Sequence, residues 1–162
     1  MSVQSVIQAI DLLRKKKIDF ECSGVKSVKL INEAEKILNC KLPEGYRYFL
    51  EKLGNFYTKG FFIYGFLNNE AENISNSGFV WGVLNDRRNF QFPDHIITLD
   101  DDRGDGSTYT LDLSQMNESN ECPVVIWPLN GYEDTPVLEI VAPDFGTWFL
   151  EQVQEQIKRK IE

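Results

Sequence analysis

The chain has 162 residues, 42% hydrophobic and 12% aromatic, with 17 Lys+Arg, 25 Asp+Glu and a formal charge of −8. That length suits one domain with its own core, the aromatic and aliphatic content excludes a disordered acidic tail, and no apolar run approaches the ~18 residues a membrane-spanning helix needs. The charge is uneven: residues 1–60 hold 11 Lys+Arg against 7 Asp+Glu, and residues 61–162 hold 6 against 18. An acidic body repels phosphate backbones, so a basic protein partner fits better than nucleic acid, unless the basic N-terminal part forms a face of its own.

In chain order, Val3, Val6, Ile7, Ile10 and Leu13 recur at helical spacing and run into Arg14-Lys15-Lys16-Lys17, where a helix C-terminus welcomes positive charge. Ser27 suits the cap of a second helix with the stripe Leu30, Ile31, Ala34, Ile37 and Leu38, and Asn39 offers a left-handed stop. A third helix opens at Pro43-Glu44, buries Tyr46, Phe49, Leu50 and Leu53, and ends at Gly54. The aromatic run 61–66 then reads as a strand. Ser77 to Asn89 reads as a helix with Phe79, Val80, Val83 and Leu84 inward, although Gly82 weakens it. Ile96 to Asp100 and Thr108 to Leu113 form a hairpin across Gly104-Asp105-Gly106, further strands follow at 124–127 and 137–141, and a helix after Pro143 carries Phe145, Trp148, Phe149, Val153 and Ile157. Helices, then strands joined by short turns, then a helix give an α+β fold. Its expected form is a single domain over 1–162, with a mostly antiparallel sheet of about five or six strands and helices on one face.

The familiar catalytic patterns are missing. There is no phosphate-cradling glycine loop, no Gly-x-Ser-x-Gly elbow and no His-Glu-x-x-His. Cys22, Cys40 and Cys122 are odd in number and never spaced Cys-x-x-Cys, which disfavours a disulfide framework and a zinc knuckle and, with no signal-peptide pattern at Met1–Ser5, points to a cytoplasmic chain. His95 stands alone, so a hydrolase or metal enzyme built on it and nearby acids is the weakest of the readings. Asp101, Asp105, Gly106 and Asp112 fall on some positions of a calcium loop, but Arg103 occupies a ligand position and the flanks read as strands, so neither metal nor cofactor is expected. The cluster Asp100, Asp101, Asp102 and Asp105 reads instead as a solvated hairpin tip or a recognition surface, since clustered like charges repel one another and a basic partner relieves this. Glu133-Asp134 adds two acids. Trp127 and Trp148 read as core, whereas Trp81 falls off its helix stripe and suits an interface anchor.

Glu35 and Leu38, Leu42-Pro43, Tyr46, Phe49-Leu50 and Gly54-Asn55 resemble the N-terminal signature of the SUKH superfamily, and later blocks follow in register. These are Tyr64-Gly65-Phe66, the Asp-rich hairpin into Leu111-Asp112-Leu113, Cys122-Pro123-Val124-Val125 before Trp127, and Val141-Ala142 before Phe145, Phe149 and Leu150. The similarity covers about residues 27–150, with Asn39 where the family usually has Gly. The resemblance implies an α+β domain that in bacteria commonly serves as an immunity protein, binding a polymorphic or contact-dependent toxin, often a nuclease, and blocking it stoichiometrically without catalysis. Its alternative is a regulatory scaffold of the cell-wall-synthesis-regulator type. On the immunity reading the partner is a toxin domain with a basic surface, met by Asp100, Asp101, Asp102, Asp105, Glu133, Asp134 and Trp81 on one exposed face.

Overall fold

The computed structural model describes residues 1–68, 78–100, 106–128 and 139–161. Five helices and six strands follow in chain order among them: α1 (Ser2–Lys15), α2 (Val28–Leu38), α3 (Glu44–Lys52), β1 (Phe56–Thr58), β2 (Phe61–Ile63), α4 (Gly78–Asn89), β3 (Ile96–Thr98), β4 (Ser107–Asp112), β5 (Val124–Pro128), β6 (Ile140–Ala142) and α5 (Phe145–Ile161). The fold is α+β with antiparallel pairing throughout, but the six strands divide between two sheets, β1-β2 and β3-β4-β5-β6.

The local chemistry of the helix ends matches their boundaries. Ser27 Oγ accepts the Leu30 N–H at 3.1 Å, and Asn39 takes the left-handed conformation (φ 51°, ψ 49°) that stops α2. Asp144, not Pro143, caps α5 by accepting the Thr147 N–H at 2.8 Å. The short link between α2 and α3 is held by Glu35, whose carboxylate accepts the Leu42 N–H at 2.7 Å and pairs with Arg47. Tyr46 then anchors α3: fully buried, it packs on Phe49, Phe79 and Phe145 and donates its hydroxyl to the Tyr64 carbonyl at 2.7 Å.

Ile97, Leu111, Val124 and Ala142 pair in one row across all four strands of the larger sheet, and each is buried in the main core. Trp148 of α5 reaches Tyr109 of this sheet at a ring distance of 5.3 Å, so α5 covers that face. Ile96 and Trp127 join Phe92 in a second, small cluster. The strand expected over 61–66 is regular only at Phe61–Ile63, where it pairs with an unforeseen β1, and a single bridge between Glu21 and Tyr57 extends this small sheet.

Helices α1 and α5 pack in parallel along their length. At their N-terminal ends the Gly146 N–H donates to Ser2 Oγ at 2.9 Å, and at their C-terminal ends Lys160 Nζ donates to the carbonyls of Lys16 (3.1 Å) and Lys17 (2.9 Å). Gly146 permits the approach, since a Cβ there would lie 1.9 Å from the Ser2 carbonyl oxygen.

Candidate binding surfaces

Asp100 is not on the surface. It is 7% exposed, and its Oδ1 accepts the Thr108 hydroxyl at 2.7 Å and the Tyr109 N–H at 2.9 Å, while the same hydroxyl lies 2.8 Å from the Asp100 carbonyl. The expectation of an exposed contact is corrected here. The residue lies two positions beyond β3, and its carboxylate satisfies the buried Thr108 hydroxyl and the Tyr109 N–H at the mouth of the β3–β4 hairpin. Asp101, Asp102, Asp105, Glu133 and Asp134 lie outside the described residues. Trp81 is 52% exposed while Phe79, Val80 and Val83 of the same helix are buried, and Leu67 and Phe90 are further exposed apolar side chains.

Of the groups that an enzyme reading draws on, His95, Asp112 and the three cysteines lie among the described residues. His95 is exposed, and its carbonyl accepts the Leu113 N–H at 2.7 Å. Asp112, the closing position of the partial calcium loop, is buried and receives the Ser114 N–H at 3.0 Å and the Gln115 amide at 2.8 Å, capping a short 3₁₀ turn. Among the described residues no three His, Cys, Asp or Glu side chains cluster to hold a metal. The three thiols are free: Cys22 is exposed, Cys40 is half-buried with its pKa pushed up to about 11 by burial, and Cys122 is buried with its pKa also raised.

Two features escaped the sequence reading. The first is Glu121, 7% exposed, at the meeting point of the N-termini of α1, α3 and α5. Its Oε2 accepts the Gly45 N–H at 2.9 Å, and the neighbouring Asn120 carbonyl accepts the Glu44 N–H at 2.9 Å, so this segment satisfies the orphan donors of α3. The Ser2 hydroxyl lies alongside, where a Cβ on Gly45 would approach it to 2.0 Å. Burial raises the Glu121 pKa to about 7, against the lowering effect of the Gly45 and Ser2 contacts, with Asp144 and Glu44 adding to the rise. Nothing about a lone Glu before a strand signals this; only the tertiary approach of three helix ends creates it.

The second is a basic end. Because α1 and α5 run in parallel, Arg14 to Lys17 and Lys158 to Lys160 finish side by side, and Lys59 from the β1–β2 turn joins them. Eight of the chain's 17 Lys+Arg are therefore at one end of an acidic molecule. Lys17, Asp19, Thr58, Lys59, Arg159 and Lys160 line a groove of about 560 Å³ there. A second groove of about 540 Å³ shares Gln156 and Arg159 with it and runs over Tyr57, Phe61 and Phe62. Arg14 to Lys17 read on their own as a helix end, since sequence spacing does not reveal that α1 and α5 are neighbours.

Among the described residues no helix is long and apolar enough to cross a membrane. The SUKH_5 family model, described as SMI1-KNR4 cell-wall, matches residues 8–154. The match takes in the Glu35-held link, the Tyr46 anchor and the α5 cap. With most of its length matched, the chain belongs to the SUKH, or SMI1-KNR4, family.

Proposed function

We propose that this chain is a non-enzymatic binding domain that neutralises a cognate toxin by occupying it in equimolar complex. The observation that carries the reading is Trp81, an indole 52% exposed on a helix whose Phe79, Val80 and Val83 are buried. Exposed Trp is a frequent energetic anchor of protein interfaces. Family membership supports a binding role of the immunity or regulatory type. On this proposal Asp101, Asp102, Asp105, Glu133 and Asp134 complement a basic toxin surface and steer its approach, as suits a nuclease whose cleft must attract polyphosphate. Asp100 is set aside from the contact set and holds the hairpin that bears its neighbours.

The test is co-expression with the toxic domain encoded in the adjacent reading frame, followed by isolation of the complex and measurement of toxin activity. An equimolar complex that silences the toxin is expected, weakened about thirtyfold or more by Trp81→Ala, as for a hot-spot residue worth ~2 kcal/mol. Loss of toxicity through multiple turnovers of a substrate would overturn the proposal. Survival of the complex at full affinity in Trp81→Ala would remove the assigned anchor. Absence of any toxin interaction, with capture by host cell-wall enzymes instead, would favour the scaffold reading.

A further inference from the structure

We infer that the basic end is a second docking surface, which receives an acidic segment of a partner protein. It does not use Trp81 and goes beyond the neutralisation reading. Helix C-termini welcome cations, but that preference fades within the last turn. It accounts for Arg14, Lys15 and the charged end of α5, not for Lys17, which lies beyond α1, or Lys59, which comes from a hairpin turn. Both nevertheless line the same groove as Arg159 and Lys160. Among the described residues, none of the eight cations at this end forms an ion pair, whereas Lys36, Arg47, Lys52 and Arg87 elsewhere each do. Lys17, Lys59, Arg159 and Lys160 outweigh Asp19 in the lining of that groove and repel one another, and an anionic ligand relieves that repulsion.

The adjoining groove says which anion. Tyr57 is 47% exposed, its ring lies 6.3 Å from that of Phe62, and Phe62 meets Tyr64 at 5.4 Å, so a partly exposed aromatic ledge borders the cations. Arg159 belongs to both grooves. Tyr and Arg together are the composition of protein interface anchors. A long phosphodiester chain fits less well, because Asp19, Glu21 and Glu155 interrupt the positive field along these grooves and the molecule carries −8 overall. A short acidic segment with an apolar or aromatic side chain places its carboxylates on Lys17, Lys59 and Arg159 and its apolar group on Tyr57 and Phe62. Its charge need act only locally, within a screening length of about 8 Å at physiological salt.

Fluorescence anisotropy of the full chain tests this with two probes: a labelled peptide of alternating Glu and Tyr, and a labelled oligothymidylate of equal charge. The peptide is expected to bind more tightly than the oligothymidylate and to weaken as salt is added. Combined Lys17→Glu and Arg159→Glu should weaken it about tenfold or more, while combined Lys29→Glu and Lys36→Glu on α2 makes the same charge change without effect. Tyr57→Ala should weaken binding and leave the salt dependence intact. Thermal melts of each variant check that the fold is retained. Oligothymidylate binding as tight as the peptide's would make this a phosphodiester surface and overturn the proposal, as would no peptide binding, or binding indifferent to the double reversal.

Discussion

Glu121 makes the stability of this protein depend on pH in the direction opposite to that of a salt-bridged carboxylate. Its pKa in the fold is about 7 against 4.5 for the free side chain, chiefly because it is buried. Below about pH 4.5 the group is protonated whether the chain is folded or not, and its contribution is whole. As pH rises, the unfolded chain ionises first while the folded carboxyl keeps its proton, so stability falls, levelling off once the folded group has ionised as well. A rise from 4.5 to about 7 corresponds to about 3 kcal/mol, at about 1.4 kcal/mol per pH unit. Glu121→Gln keeps an acceptor for the Gly45 N–H and removes the charge. Urea unfolding of both proteins should therefore give similar stabilities near pH 4.5 and a variant more stable by up to about 3 kcal/mol above pH 8. A difference that does not change with pH would refute the reasoning. It would mean that the N-termini of three helices, which favour a negative charge, offset the cost of burial in full.

Gly146→Ala should destabilise by about 3 kcal/mol in the same assay, since the new Cβ would fall 1.9 Å from the Ser2 carbonyl oxygen and force α1 and α5 apart. Asp100→Ala should cost about 1–3 kcal/mol by leaving the Tyr109 N–H without its carboxylate acceptor, with the loss appearing in urea unfolding. A thiol-reactive dye should modify Cys22 rapidly in the native protein, Cys40 more slowly and Cys122 only on denaturation, because burial is partial at Cys40, fuller at Cys122, and raises both pKa values.

The helices were largely legible because their stripes and caps are local: the Ser27 cap, the Asn39 stop and the buried Phe79, Val80 and Val83 of α4 are all readable at helical spacing. The β3–β4 hairpin was readable for the same reason, from turn residues between alternating segments. Strand β1 was hidden because Phe56–Thr58 is too short to show a period, and the division into two sheets depends on pairings that no single segment specifies. The site was less legible than the fold. Trp81 lies off its stripe and is exposed, as its position suggests, whereas Asp100 shows the limit of reading charge as surface. An acid at the head of an Asp run looks solvated, yet the buried Thr108 hydroxyl and the Tyr109 N–H claim it. The basic end and the Glu121 junction each join residues more than 70 positions apart, which neither spacing nor composition records.

The parallel pairing of α1 with α5 also bears on how the chain reaches its native state. Ser2 and Gly146, like Lys16 and Lys160, are 144 residues apart, so α1 is synthesised well before the helix it packs against. Closing so long a loop carries an entropic cost that must be met before the contact rewards it, and assembly with such distant partners is slow. Until then Val6, Ala9, Ile10 and Leu13 present an apolar stripe without its principal cover. Loss of α5 by proteolysis would return α1 to that uncovered condition, coupling the two helices in a single cooperative unit.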